Sequence, residues 1–313
     1  MRTEWLSIPL EDLGMLRVQG PDATRFLQGQ LSNDIVRLSS ERSLLAGYHN
    51  PQGRAIALLR LVWLGAEDFL AVLPRELVAA VAVRLSKFVL RAKVKIADQS
   101  AHWLAAGLVG PDSTEDVQPR AIVQTSGLTL ASNLNGQTVQ GSQVLVRVGS
   151  APSRWLTLSP TDSPVNESPD APRLVPGSRE LWRLLDIAAG QPQIYAATSE
   201  EFVAQMLNLD LLDAIAFDKG CYTGQEVIAR AHYRGRVKRR LQRLVTAGRA
   251  ELAPGSSGAL EDGRAFKVIE AAQRDDGRCE FLAVAPISAA AADSSDGERI
   301  EAEQLALPYS LPE

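Results

Sequence analysis

Eight consecutive residues, Lys219-Gly220-Cys221-Tyr222-Thr223-Gly224-Gln225-Glu226, gather a cation, a thiol, two glycines and a carboxylate. A thiolate held beside an ammonium is a nucleophile or a sulfur carrier, and flanking glycines allow close backbone approach by a partner. The alternative is a small core cysteine in a glycine-containing turn, since free cysteine is among the most buried residue types. A second group follows at once. Arg230, Arg234, Arg236, Lys238, Arg239, Arg240 and Arg243 bring seven cations and no acid into fourteen residues, with His232 and Tyr233 among them. Such a run suits a polyanion, either nucleic-acid phosphate or the glutamate tail of a polyglutamylated small molecule, or else it is a solvated face.

Other chemistries are weakly supported or excluded. The histidines are His49, His102 and His232, none at metal-ligand spacing with another ligand. A dyad of Cys221 with His232 is conceivable, although their separation along the chain does not establish contact. Cys221 and Cys279 are too few for a disulfide framework, a four-thiolate zinc site or a protein-held iron–sulfur cluster. Fingerprints of Rossmann, P-loop, hydrolase-elbow and zincin sites are absent. Trp182 stands one position off the most apolar line of its helix, where a flat ligand could stack, although a core tryptophan reads as well.

The 313 residues are 45% hydrophobic and 22% charged, the composition of an ordinary folded protein of two or three units. Lys and Arg number 33 against 37 Asp and Glu, so a globally basic coat for duplex nucleic acid is excluded and only a local basic patch remains. The N-terminus lacks a signal-peptide core and no stretch reaches the roughly 18 apolar residues of a membrane span, which leads us to expect a cytoplasmic protein without membrane contact.

The elements that must position these residues are partly legible. Leu16-Arg17-Val18 reads as a strand, and Gly20-Pro21-Asp22 turns into a helix with Phe26, Leu27 and Leu31 on one face. Residues 44–49 and 55–63 are strand-like runs joined by Asn50-Pro51-Gln52-Gly53, a hairpin with the turn residues a type I turn prefers. Pro74 opens a helix with Leu77, Val78, Val81, Leu85 and Phe88 at a 3.6 period, and alternation resumes at Val94 and Ile96. Short strand-like runs fill residues 103 to 158. Five prolines between Pro160 and Pro176 mark an exposed connector. Ser178 caps a helix through Leu181, Trp182, Leu184, Leu185 and Ile187 that stops at Gly190. Thr198 with Glu201 forms a capping-box pattern predicting a second helix that buries Phe202, Val203, Met206 and Leu207. From Leu241 onward, short runs between Gly- and Asp-rich turns predict a small β-barrel or sandwich.

At Lys219–Glu226 the chain resembles the YgfZ family of folate-binding proteins, relatives of the glycine-cleavage T-protein, whose signature is K-G-C-Y-x-G-Q-E. The resemblance extends to Gly20-Pro21-Asp22-Ala23, Phe26-Leu27-Gln28-Gly29-Gln30, Asn33-Asp34, Asn50-Pro51-Gln52-Gly53-Arg54, Asn208-Leu209-Asp210, Ala229-Arg230, Arg234-Gly235, Lys238-Arg239 and Leu307-Pro308-Tyr309-Ser310-Leu311. It is weakest from about residue 103 to 175.

The resemblance implies an α+β fold: a folate-binding region of mixed sheets and helices over residues 1–240, divided by a connector near 160–177, then a C-terminal β-barrel over 241–313. It implies tetrahydrofolate as ligand, with Trp182, Asn33, Asp34, Arg54, Tyr222, Gln225 and Glu226 as cofactor-binding residues and no bound metal. It also implies support for assembly or repair of iron–sulfur clusters, with radical tRNA methylthiotransferases as client partners. Cys221, with Lys219 beside it, takes the part of the family's key thiol and acts on, or transiently holds, a sulfur or cluster species. The protein is expected to be a monomer, with tRNA contact through Arg230 to Arg243 open to it.

One departure bears on mechanism. Where aminomethyl-transferring relatives carry an acidic pair after the hairpin glycine, this chain has Arg54-Ala55-Ile56-Ala57-Leu58. Acid–base chemistry at a bound folate therefore has no evident agent. A folate-dependent aminomethyltransferase and a tRNA-binding accessory stand as the alternatives.

Overall fold

The computed structural model describes residues 4–111, 133–162, 174–235, 237–288 and 299–312. The chain divides into two compact units, one of Met1–Gln28, Asp34–Leu45 and Leu59–Arg179, the other of Gly29–Asn33, Ala46–Leu58 and Glu180–Glu313. Up to residue 176 the elements are β1 (Leu6–Pro9), β2 (Leu13–Gln19), α1 (Ala23–Gln30), β3 (Leu44–His49), β4 (Ala55–Gly65), β5 (Asp68–Pro74), α2 (Arg75–Ser86), β6 (Lys95–Asp98), β7 (Trp103–Val109), β8 (Gln137–Gln140), β9 (Gln143–Ser150), β10 (Ser153–Pro160) and β11 (Val175–Pro176). Two sheets result, ordered β3-β4-β5-β2-β6 and β11-β1-β7-β10-β9-β8. The chain is α+β, with few helices.

In the first unit β2 pairs antiparallel with β5, and Arg17 holds Asp68 bidentately across that pair at 2.8 and 2.5 Å. The helix predicted after Pro74 forms as α2, burying Leu77, Val78, Val81 and Leu85. Phe88 departs from expectation: the helix ends at Ser86, so Phe88 leaves the buried face and is half exposed. The second sheet encloses Trp5, Leu108, Leu145 and Trp155. Of the proline-rich connector, residues 163–173 lie outside the described residues; β10 ends at Pro160, and β11 resumes as an edge strand ending at Pro176, where a missing N–H donor is tolerated.

The second unit takes in the hairpin tip and everything after α3 begins. Its elements are α3 (Arg179–Ala188), α4 (Gln225–Tyr233), β12 (Arg239–Arg249), β13 (Ser257–Leu260), β14 (Ala265–Gln273), β15 (Arg278–Pro286), β16 (Arg299–Ile300) and β17 (Ala302–Leu305). Sheet order is β16-β13-β14-β15-β12-β17. The two edge strands are successive pieces of one segment: residues 299–300 pair with β13 and residues 302–305 with β12. One stretch of chain thus covers both edges, and the predicted β-barrel is nearly closed around Phe266, Val268, Phe281 and the buried Cys279.

The helix expected from Thr198 does not form. Thr198 Oγ1 accepts from Tyr195 N at 3.1 Å within a turn, Glu201 pairs with Lys267, and only Ala204–Leu207 winds, as one turn of 3-10 helix. The competing structure is β pairing: Ala55 N donates to Phe202 O at 2.8 Å and Arg54 bridges to Val203, so this backbone serves the start of β4. Conversely, α4 forms without a helix-start signal in the sequence; it begins after Gly224 with φ of 83°, a start no side-chain cap announces.

Candidate functional site

All the polar groups of the 219–226 segment sit within the second unit, clamped by three neighbours. The first is the stretch 29–33. Ser32 Oγ donates to Ala214 O at 2.7 Å and accepts from Gly47 N at 2.8 Å, and Ala216 N donates to Ser32 O. Asn33 Nδ2 donates to Asp213 O at 2.7 Å. Lys219 completes the clamp: its ammonium donates to Leu31 O and Asn33 O, both at 2.7 Å, and lies 5.1 Å from the centre of the Tyr222 ring. The cation expected to serve the thiol is thus engaged with backbone carbonyls and an aromatic face.

The second neighbour is the hairpin tip. Gly53 N donates to Asn50 O and Asn50 N to Arg54 O, closing the type I turn that the sequence predicts, and Gly53 is left-handed with φ of 72°. Asn50 Oδ1 accepts from Gln52 N and Arg54 N, fixing the loop from inside. A side chain at Gly224 would place its Cβ 2.5 Å from Asn50 O and 3.0 Å from Gly53 Cα. The two glycines let hairpin and signature loop touch backbone to backbone.

The third neighbour is the 205–210 segment, where Gln205 Nε2 donates to Ile228 O at 2.7 Å and holds α4. Arg240 then reaches in from β12. It donates to Gln205 O and Asn208 Oδ1 and bidentately to Asp210, 2.9 Å on both oxygens, with only 5% and 9% of the two side chains exposed. Asn208 Nδ2 donates to Leu241 O and to Tyr309 Oη, and Tyr309 Oη donates to Gly190 O. The motifs around 208–210 and 307–311 are thus parts of one hydrogen-bonded network.

Within this frame Tyr222 is buried and its hydroxyl is pushed up to about 12 by burial, so it keeps its proton. Cys221, its neighbour, is exposed, and Gly220 has open space around it. The core-cysteine alternative therefore fits Cys279, and Cys221 is presented to solvent on a fixed loop.

The other predicted residues fall at several places. Asn33, Lys219 and Tyr222 come together; Arg54 is exposed on the hairpin and donates to Glu200 O at 3.3 Å. Gln225 begins α4, while Glu226 is exposed and pairs with Arg230 at 3.2 Å. Trp182 is buried in α3. Asp34 belongs to the first unit, where its carboxylate accepts from Gln28 and Val36 and pairs with Arg37. In the basic run, Arg240 and Arg243 are taken up by Asp210 and Glu280, Arg234 and Lys238 are exposed, and Arg236 lies outside the described residues. His232 stacks on Phe217 at 3.8 Å, with Tyr233 edge-on at 4.8 Å.

One residue was undervalued from sequence. His49 closes β3 and is 1% exposed, its ring 6.5 Å from that of Tyr222, and neither ring nitrogen has a hydrogen-bond partner among the described residues. A Cβ on Gly47 would stand 2.2 Å from its Cε1, so glycine there makes room for the ring. Burial pushes the imidazole down to about 4, outweighing a weak interaction with the Gly47 backbone. No sequence signal marks this, because the nearest predictor is a glycine two residues away.

Among the described residues no three His, Cys, Asp or Glu side chains are grouped to hold a metal ion, and no helix is long and apolar enough to cross a membrane.

No protein-family model matches the chain. Known proteins do. The tRNA-modifying protein YgfZ of Yersinia pseudotuberculosis is 34% identical over 317 residues, covering 98% of this chain and 93% of the relative. The chain belongs to the YgfZ family. A second member, from Cronobacter sakazakii, is 31% identical over 277 residues, 87% of this chain and 82% of its own length. The fold is that of the glycine cleavage system aminomethyltransferase T of Bartonella henselae, with a TM-score of 0.68 at 15% identity over 91% of this chain and 79% of that one.

The His49 site of this YgfZ-family chain carries a pH signature. An unfolded histidine titrates near 6.5 and the folded one near 4, so above pH 6.5 both states are neutral and nothing is lost. Below it the unfolded chain binds a proton the folded chain refuses, and stability falls until the pH passes the folded value. The loss from this group alone is about 3 kcal/mol between pH 6.5 and 4. Urea denaturation of wild type against His49→Phe reads it as a difference in slope; parallel pH profiles would refute it.

Proposed function

We propose that the protein binds tetrahydrofolate and supports the iron–sulfur clusters of cytoplasmic tRNA-modifying radical enzymes, meeting those clients through Cys221. The observation that carries this reading is the contrast at the signature loop. Lys219 and Tyr222 are tied into the unit, Gly224 is wedged against the hairpin, and the one thiol between them faces solvent. A thiol so presented can reach a second protein without any rearrangement of its own loop.

Membership of the YgfZ family and the shared fold of the aminomethyltransferase support folate as the ligand. Two buried polar groups near the signature loop support this reading. The two unpartnered nitrogens of neutral His49 offer one donor and one acceptor, and Tyr222 keeps a proton to give, which suits a heterocycle bearing both N–H groups and acceptors. Tetrahydrofolate supplies a reduced one-carbon carrier when bound. Aminomethyl transfer is the weaker reading, because Ala55, Ile56, Ala57 and Leu58 are buried apolar strand residues and offer no carboxylate there.

Complementation tests the function. In a bacterium deleted for its own YgfZ-family protein, this chain should restore methylthiolated tRNA nucleosides, measured by mass spectrometry of digested tRNA. Failure to restore them with the folded protein present would overturn the assignment.

A further inference from the structure

The second unit also holds a cavity of about 490 Å³, lined by none of the signature-loop residues 219–226 and bounded by β12, β13, β14 and the 201–206 segment. Its apolar lining is Phe202, Met206, Ala265 and Phe266, and its polar lining is Glu201, Lys267, Ser257 and Arg239. The volume lies within the roughly 300–1,000 Å³ range of small-molecule sites, and the mixture of apolar walls with a few placed charges is what such sites share.

The charges do not cancel. Glu201 and Lys267 are paired with each other. Arg239 donates to Ala265 O at 3.2 Å, has no carboxylate partner among the described residues, and keeps a buried Nε without any hydrogen-bond partner. A charged group left without a counter-charge or full hydrogen bonding is costly, so a ligand that supplies an acceptor to this guanidinium is favoured. Arg239 lines the cavity, and a guanidinium is the planar group that a carboxylate engages with both oxygens. One surplus positive charge balances one negative charge; a phosphate dianion would leave a net charge against apolar walls, which is unfavourable.

We propose that this cavity is a binding site for a small monocarboxylate with a compact apolar body, its carboxylate on Arg239 and its body against Phe202, Met206 and Phe266. The site is separate from the one assigned to folate and does not depend on that assignment.

Benzoate and hexanoate are the probes, with inorganic phosphate and p-aminobenzoylglutamate as comparison ligands, each titrated into the full-length protein and followed by ligand-observed NMR. The expected result is saturable binding of benzoate or hexanoate and none of phosphate, with affinity lowered at least about tenfold in Arg239→Gln, the equivalent of one hydrogen bond to a charged group. Ala265→Phe, which fills the cavity and leaves the guanidinium in place, should abolish binding too. That second variant keeps the test decisive if Arg239→Gln fails to fold. Absence of monocarboxylate binding, binding undiminished in folded variants, or preference for phosphate would overturn the proposal. So would displacement of benzoate from wild type by tetrahydrofolate or p-aminobenzoylglutamate, since the cavity would then belong to the folate.

Discussion

Cys221→Ser should fold as the wild type does and fail to support client enzymes. The side chain is exposed on a loop held by Lys219, Tyr222 and Gly224, so replacing sulfur by oxygen removes none of the contacts that fix the loop. Exposed substitutions of this kind change stability by about 0.5 kcal/mol or less. In the complementation assay the methylthiolated nucleosides should fall at least about tenfold, because a thiolate is a nucleophile and metal ligand and a serine hydroxyl is neither at neutral pH. Full restoration by Cys221→Ser would leave the thiol without a role.

Asp210→Asn should strongly destabilise the second unit. Asp210 and Arg240 are both buried and joined by two bonds of 2.9 Å, and Arg240 also ties Gln205 and Asn208, which hold α4 and β12. Removing the carboxylate's charge leaves a buried guanidinium without its counter-charge, a situation that costs about 3–5 kcal/mol. Urea denaturation should show that loss with the midpoint shifted to lower urea; a change below about 1 kcal/mol would mean that the neighbouring carbonyls alone satisfy Arg240.

What the sequence discloses depends on how local the deciding interaction is. The hairpin at 50–53 was legible because Pro51, Gly53 and the Asn50 side chain determine the turn among themselves. The period gave most of the buried faces of α1 and α2, although Leu31 and Phe88 fall beyond the helix ends, Leu31 in a bridge to Tyr48, and the barrel followed from its run of short strands. The segment after Thr198 misled because its capping pattern is locally sound, while Phe202 and Val203 are claimed by β4 and Glu201 by Lys267.

The same division holds for the site. Eight contiguous residues identified the signature loop, but the pairing of Arg240 and Arg243 within the basic run was hidden because Asp210 and Glu280 come from other segments. His49 looked ordinary since an unpartnered nitrogen is a property of packing, not of residue type. Arg239 was visible as a charge, while its cavity, walled by β13, β14 and the 201–206 segment, was not.

The central claim is that this YgfZ-family chain binds tetrahydrofolate at the signature site. Anaerobic calorimetry with tetrahydrofolate tests it on wild type and on His49→Phe, the latter after its urea midpoint has shown that it folds. Saturable one-site binding to the wild type is predicted, weakened at least about tenfold in the variant by loss of the imidazole's hydrogen bonds. No saturable heat in the wild type, or equal affinity in the two proteins, would contradict the account.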